Sequence, residues 1–304
     1  MVKISEYPEE EFILPGTRLC AGCGLQLAYR WALKAFGHDT IVTLPASCSV
    51  VAGGVGGYSP LKIPAVYDCF ETGASTASGL AGALKAKGRE KTKTVVAWVG
   101  DGGTYDIGLQ ALSAAAERGD DFVYICANNQ AYMNTGIQRS SASPYGARTT
   151  TTPILGKKEI SKNMLKIMDA HGLSYMATAS AAYPQDLFEK CQKAKEMQGQ
   201  GVRYIEILCS CPPGWGYGVE NSVKMARLAV ETGYWPLWER IHGRITLSKA
   251  GSKFIDPEKR KPITDFLTPQ VRFKHLKQDA ISVWENYIAG VWKEIQKELD
   301  ETNQ

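Results

Sequence analysis

Six short apolar runs, at 41–44, 65–69, 94–99, 122–127, 174–178 and 203–208, constrain this chain more than anything else in it. They are near-continuous hydrophobic segments rather than alternating ones, the pattern of strands covered on both faces. Helical patterns lie before and between them, at 25–36, 74–86, 107–118, 162–171 and 185–198, the last opening after Pro184, a favourable first-turn residue. Strand and helix in alternation predict an α/β fold, a mostly parallel sheet with helices on both faces. A final helix at 279–299 carries Ile281, Trp284, Ile288, Val291, Trp292, Ile295 and Leu299 on one broad face and is expected to dock on its own domain as a C-terminal helical extension. The domains expected are therefore 1–240, holding the sheet, and 241–304, the extension. Two stretches rich in Gly, Ser, Thr and Pro, 53–60 and 131–153, read as long loops, which in compact domains are usually functional. The segment 251–273 is basic, contains proline and shows no period.

With 304 residues the chain can bury a sizeable core. Its formal charge of +4 is a small excess over 35 basic and 31 acidic residues, and gives no reason to expect a nucleic acid or a membrane surface as partner. The start, MVKISEYPEEEFILPG, is acidic where a signal peptide has an apolar core, so a cytoplasmic protein is expected. Eight cysteines do not read as a disulfide scaffold in a chain of this size. Buried thiols, redox thiols and metal ligands remain.

The most informative stretch is Val95-Val-Ala-Trp-Val-Gly-Asp-Gly-Gly-Thr104, an apolar strand running into Gly100, Asp101, Gly102 and Gly103 with a helix soon after. Glycines let backbone approach a ligand closely, and a helix start offers N–H groups to an anion. Asp101 would repel a bare phosphate but suits a magnesium ion bridging carboxylate to phosphate. The end of the next strand supplies Asn128 and Asn129, so a side-chain amide oxygen at Asn129 and a nearby backbone carbonyl could complete the ligands. Parallel strands set such loops side by side in one crevice. Gly-Asp-Gly alone is also a tight turn with a capping aspartate. The combination of that triplet, a helix, a second strand and Asn-Asn is more specific, and resembles the thiamine diphosphate motif of transketolase-like enzymes.

The resemblance narrows with Gly-Asp-Gly-Gly-Thr-Tyr-Asp-Ile-Gly-Leu-Gln-Ala-Leu-Ser and Ala-Tyr-Met-Asn-Thr-Gly-Ile-Gln-Arg-Ser-Ser-Ala-Ser-Pro-Tyr-Gly-Ala. From about Cys20 to Trp235 the chain is similar to the β subunit of pyruvate:ferredoxin oxidoreductase. That resemblance implies magnesium held by the side chains of Asp101 and Asn129 and the carbonyl of Ala131. It implies a cofactor loop at Gly100–Gly103, and Asn134 beside the substrate and the thiazolium.

Cys20-Ala-Gly-Cys23 opens a helix, Cys48 follows a strand, and Cys211 follows another in Cys-Pro-Pro-Gly-Trp. CxxC alone fits a redox dithiol, zinc or iron–sulfur. A zinc ribbon would bring two close pairs, whereas long unequal separations suit an iron–sulfur cluster better. The resemblance implies that Cys20, Cys23, Cys48 and Cys211 hold one 4Fe–4S cluster, with Cys209 the rival for the last ligand. Cys69, Cys126 and Cys191 read as core residues, and His38 and His171 as helix C-terminal caps.

The function implied is oxidative decarboxylation of a 2-oxoacid, with electrons passed to ferredoxin and coenzyme A as a possible co-substrate. Pyruvate is the first expectation. However, Ala46-Ser47-Cys48-Ser49 and Cys69-Phe-Glu71-Thr-Gly-Ala depart from the pyruvate pattern, which leaves oxalate or a branched or aromatic 2-oxoacid open. The chain has no room for a pyrimidine-binding domain and no ferredoxin-type cysteine run. Separate α (pyrimidine-binding) and γ/δ-type subunits are therefore expected as partners. A non-redox thiamine diphosphate subunit would leave four cysteines unexplained, and a non-catalytic electron-transfer subunit would make the Gly-Asp-Gly turn structural.

Overall fold

The structure, a computed structural model, describes residues 7–54 and 58–302. Its sheet contains β1 (Thr40–Pro45), β2 (Ala65–Asp68), β3 (Thr94–Gly100), β4 (Val123–Asn128), β5 (Tyr175–Ser180), β6 (Arg203–Leu208), β7 (Trp238–Ile241) and β8 (Arg244–Leu247). The spatial order is β2-β1-β3-β4-β6-β5-β7-β8. The first six strands run parallel, whereas β7 lies antiparallel to β5 and β8 antiparallel to β7. Helices are α1 (Gly24–Phe36), α2 (Cys48–Gly53), α3 (Gly73–Ala86), α4 (Leu109–Arg118), α5 (Met164–Asp169), α6 (Pro184–Glu196), α7 (Pro212–Trp215), α8 (Ser222–Glu231), α9 (Thr264–Leu267) and α10 (Gln278–Thr302).

The period of two sorts each central strand between two cores. Val96 and Trp98 of β3, Val123 and Ile125 of β4, and Ile205 and Ile207 of β6 face a core closed by α1 and α6. Their neighbours Val95, Ala97, Tyr124, Cys126 and Tyr204 face the opposite core, closed by α3, α4, α5 and the end of α10. Both faces are covered, so apolar residues occupy most positions on either face and the runs look nearly continuous. A third core lies under the C-terminal segments, where Trp284, Ile288 and Trp292 of α10 pack with Trp215, Phe266 and Phe273.

The topology dictates where ligands can sit. From β1 the chain moves outward to β2, then returns to place β3 on the other side of β1. Such a reversal opens a crevice at the carboxyl ends of the two strands. β1 runs into Cys48, β3 into Asp101, β4 into Asn129 and β6 into Cys211, and these four parallel strands are consecutive neighbours.

The structure differs from the sequence reading in several places. A π-helical turn, Gly103–Ile107, precedes α4, so the regular helix opens at Leu109 rather than at residue 107. Part of the expected loop at 53–60 lies outside the described residues, and Gly53 ends the helix α2 that Cys48 begins. The hairpin β7–β8 and the helix α8 were not anticipated; the division between 240 and 241 falls inside β7, whose sheet continues into β8. Cys126 and Cys191 are buried as expected, but Cys69 is exposed, because it lies just beyond the short strand β2.

Candidate active site

Asp101 closes β3 and is 1% exposed. Ser140 Oγ donates to its Oδ2 at 2.6 Å. Burial pushes the Asp101 carboxyl up to about 7, against that hydrogen bond and others from backbone N–H groups, which favour the charged form. The side-chain amide of Asn129 lies 2.9 Å from Asp101 Oδ1 and 2.9 Å from the Ala131 carbonyl oxygen. With nitrogen facing them the amide donates to both; with oxygen facing them, the amide oxygen stands between a carboxylate oxygen and a carbonyl oxygen.

These groups line a cavity of about 460 Å³ with Ser47, Cys48, Gly100, Gly102 and Asn134. Phe70, Tyr132 and Met133 supply its apolar wall. Gly102 has no space for a side chain: a Cβ there would fall 2.0 Å from Tyr132 Cε1. Gly103 is not on this wall; it packs under Phe70 and Val99. Asn134 is exposed, and its backbone N–H faces the Cys48 thiol. Ser47 holds the start of α2, donating to the Pro45 carbonyl at 2.9 Å and accepting from the Ser49 N–H at 3.1 Å.

The cysteine loops meet at the same edge of the sheet. Gly24, directly after Cys23, donates its N–H to the Ser210 carbonyl at 2.9 Å. A Cβ on Gly24 would lie 2.6 Å from the Ser210 nitrogen, so only glycine allows α1 to begin against the loop holding Cys209 and Cys211. Burial, reinforced by Cys23 and then other anionic neighbours, pushes the Cys48 thiol up to about 12. Burial also pushes Cys211 up to about 12, with Cys23 and Cys48 adding to the effect. Cys209 is raised too, first by burial and then by Cys23. Cys20 and Cys23 border a second cavity of about 460 Å³, with Ser210 and Glu220 on its wall. Among the described residues, no three His, Cys, Asp or Glu side chains are grouped to hold a single metal ion. Asp101, Asn129 and Ala131 instead bring together a carboxylate, an amide and a carbonyl.

Three contributors escaped the sequence reading. Ser140 belongs to the long loop 131–153, where nothing local signals which serine turns inward. The indole of Trp215 donates to the Asn129 carbonyl at 2.9 Å, so the tryptophan of Cys-Pro-Pro-Gly-Trp reaches the diphosphate motif. Arg272, from the irregular basic segment, is 5% exposed and donates to Gln130 Oε1 at 2.7 Å.

The fold and this crevice define a thiamine-pyrophosphate-binding α/β protein, and residues 57–207 match the family described as thiamine pyrophosphate enzyme, C-terminal TPP binding domain. The chain is 46% identical to pyruvate synthase subunit PorB of Methanothermobacter thermautotrophicus over 292 residues, 95% of this chain and 98% of that one. It is 42% identical to ketoisovalerate oxidoreductase subunit VorB of Pyrococcus furiosus over 299 residues, 95% of this chain and 94% of that one. Among solved structures, 2-oxoglutarate:ferredoxin oxidoreductase from Magnetococcus marinus shares the fold with a TM-score of 0.54 and 22% identity, over 74% of this chain and 80% of that one. The chain belongs to the PorB/VorB family of β subunits of 2-oxoacid:ferredoxin oxidoreductases, and is an oxidoreductase subunit of a multi-subunit complex. No helix among the described residues is long and apolar enough to cross a membrane.

Proposed function

We propose that this subunit binds thiamine diphosphate through magnesium at Asp101, Asn129 and Ala131, and carries one 4Fe–4S cluster on Cys20, Cys23, Cys48 and Cys211. The observation that carries the reading is the meeting of Asp101 Oδ1, the Asn129 amide and the Ala131 carbonyl in a cavity that also reaches Cys48. Among the described residues no cationic side chain pairs with the buried Asp101, and a divalent cation would favour its charged form. Carboxylate, amide and carbonyl oxygens are the hard donors that magnesium takes. Gly100 and Gly102 border the cavity and leave backbone open to the diphosphate, whereas Gly103 packs behind them under Phe70 and Val99, and Asn134 stands at the outer rim for the substrate.

The thiols fit a cluster better than an ion. They arrive on loops that abut through Gly24 and Ser210, and neighbouring thiols add to the effect of burial in raising the pKa of Cys23, Cys48 and Cys211. Iron would keep them as thiolates. Cys211, at the start of α7, is the fourth ligand rather than Cys209, whose side chain is fully buried in the apolar core closed by α1 and α6.

When bound, thiamine diphosphate supplies the carbanion stabilisation that lets a 2-oxoacid lose carbon dioxide, and the cluster accepts the electrons. The chain's own part is to orient the diphosphate, screen the reacting end with Phe70, Tyr132 and Met133, and hold the cysteine loops beside it. Pyruvate is the substrate, coenzyme A takes the acyl group, and ferredoxin takes the electrons. An α subunit provides the pyrimidine-binding half and γ/δ-type subunits the onward clusters, in the cytoplasm.

The test measures iron, sulfide, magnesium and thiamine diphosphate per copy in the anaerobically purified complex. Wild type is set beside Asp101→Ala, Cys211→Ser and Cys209→Ser, with pyruvate and 2-ketoisovalerate compared as substrates. About four irons, lost in Cys211→Ser and kept in Cys209→Ser, together with thiamine diphosphate lost in Asp101→Ala, is the expected result. Zinc in place of iron, or an intact cofactor load in Asp101→Ala, overturns it.

A further inference from the structure

We propose that Gln130 and Arg272 are positioning residues for the cation-binding half of the cofactor site, holding the backbone between Asn129 and Ala131 in the conformation that turns both toward Asp101. The inference rests on the magnesium reading above.

Gln130 separates the two ligands, and its φ is 72°. For a residue with a Cβ this left-handed conformation costs roughly 1–2 kcal/mol and persists only when its surroundings over-determine it. Here they do. Gln130 is 1% exposed, and its four polar groups all have partners. Its N–H donates to Asn128 Oδ1 at 2.9 Å, and its carbonyl accepts from Ser143 Oγ at 2.7 Å. Its Nε2 donates to the Tyr234 hydroxyl at 2.6 Å, and its Oε1 accepts from Arg272 Nη2 at 2.7 Å. The left-handed turn is what brings the Ala131 carbonyl back to within 2.9 Å of the Asn129 amide.

Arg272 is placed at a cost that calls for a reason. Burial opposes its charge, and among the described residues no carboxylate pairs with it. The guanidinium is held instead by Gln270 Oε1 at 2.8 Å, by Gln130, and by the faces of Trp215 and Phe273 at 4.3 and 4.7 Å from the ring centroids. Trp215 in turn donates to the Asn129 carbonyl at 2.9 Å. One buried cation thus secures two consecutive residues of the metal loop, Gln130 directly and Asn129 through the indole. Groups that orient ligands in this way are worth about 10- to 100-fold in metal affinity.

The experiment uses the intact complex, stripped of metal and cofactor with a chelator, and titrates magnesium at fixed thiamine diphosphate while following cofactor binding by calorimetry. Arg272→Met is expected to raise the half-saturating magnesium concentration about tenfold, and Arg272→Lys, which can still donate to Gln130, less than threefold. Tyr234→Phe, which removes one oxygen, is expected to raise it at least threefold. Arg260→Met is the control: that arginine also stacks on a tryptophan, 4.7 Å from the ring of Trp292, and donates to two backbone carbonyls, but among the described residues it bonds none of Asn129, Gln130 and Ala131 and reaches them only by the longer route of Trp292, Gly233 and Tyr234. An unchanged midpoint in Arg272→Met, or an equal rise in Arg260→Met, overturns the proposal. Should the Arg272→Met complex not assemble, Tyr234→Phe decides, and an unchanged midpoint there overturns it. A wild-type complex that binds thiamine diphosphate without regard to magnesium sinks the metal reading itself, and this inference with it.

Discussion

The Nε1 of Trp215 donates to the carbonyl oxygen of Asn129 at 2.9 Å, joining the Cys-Pro-Pro-Gly-Trp turn to the end of β4. A single hydrogen bond between buried groups thereby ties the loop of Cys211 to the loop that contributes Asn129. Trp215→Phe keeps most of the ring and strands that carbonyl, at a cost of about 1–3 kcal/mol. The expected outcome is loss of both thiamine diphosphate and iron from the same preparation, measured per copy. Loss of neither would show that the two loops are held independently.

Gly102→Ala should be the most selective lesion of the cofactor cavity. The added methyl would sit 2.0 and 2.2 Å from Tyr132 carbons, and Tyr132 is tethered by its hydroxyl to Asp106 Oδ2 at 2.5 Å. The ring must be displaced into the cavity that it lines. Overpacking of this kind costs about 1–3 kcal/mol in stability. Thiamine diphosphate affinity is expected to fall at least tenfold while the circular dichroism of the fold is retained; an unaltered affinity would mean that Tyr132 moves outward freely.

Ser140→Ala removes the hydroxyl that donates to Asp101 Oδ2 at 2.6 Å. The carboxylate loses the largest of the hydrogen bonds that favour its charged form and keeps those from the backbone N–H groups of Asn129 and of Asp101 itself. Magnesium affinity should drop roughly 10-fold or more, the usual scale for a partner that orients a ligand. Ser140→Thr, which keeps the hydroxyl, should recover part of the loss in the same titration.

Acid should loosen the N-terminal segment at a definite place. Glu11 pairs with Arg30, and its Oε1 lies 3.0 Å from Lys34 Nζ. The Arg30 hydrogen bond chiefly, with Lys34 adding to it, holds the Glu11 carboxyl down at about 2 against an ordinary 4.5. A folded-state pKa below the unfolded one gives stability that is complete above the unfolded value and fades as pH falls toward the folded one. Glu11 is partly exposed, so solvent screening keeps the contribution below about 1 kcal/mol. The melting temperature of wild type should exceed that of Glu11→Gln by a constant margin above about pH 4.5, with the margin vanishing near pH 2. A margin independent of pH would assign the effect to packing alone.

The parts legible in the sequence are those where one physical signal dominates. β3, β4 and β6 are buried on both faces, so runs such as Thr94–Gly100 can hardly be anything else. β7 and β8 are hidden because each is four residues long and mixes charges with apolar residues, and β8 forms the edge of the sheet. Asp101 and Asn129 could be singled out because glycines and paired amides mark them. Arg272 could not, since an arginine in a basic, proline-containing stretch is ordinarily solvated and nothing local announces a buried one. Gln130 shows the same limit: its left-handed backbone is imposed by groups up to 142 positions away.

The four consecutive parallel strands β1, β3, β4 and β6 carry one further consequence. Neighbouring strands lie about 4.8 Å apart, a spacing set by backbone hydrogen bonds and indifferent to side chains. Cys48, Asp101, Asn129 and Cys211 each hang from the end of a successive strand, so on the proposed reading the gap an electron crosses is measured in strand widths. The sheet acts as a ruler. On that reading, substitutions in the loops around the cavity leave the spacing between the cofactor loop and the cysteine loops unchanged, because the sheet sets it.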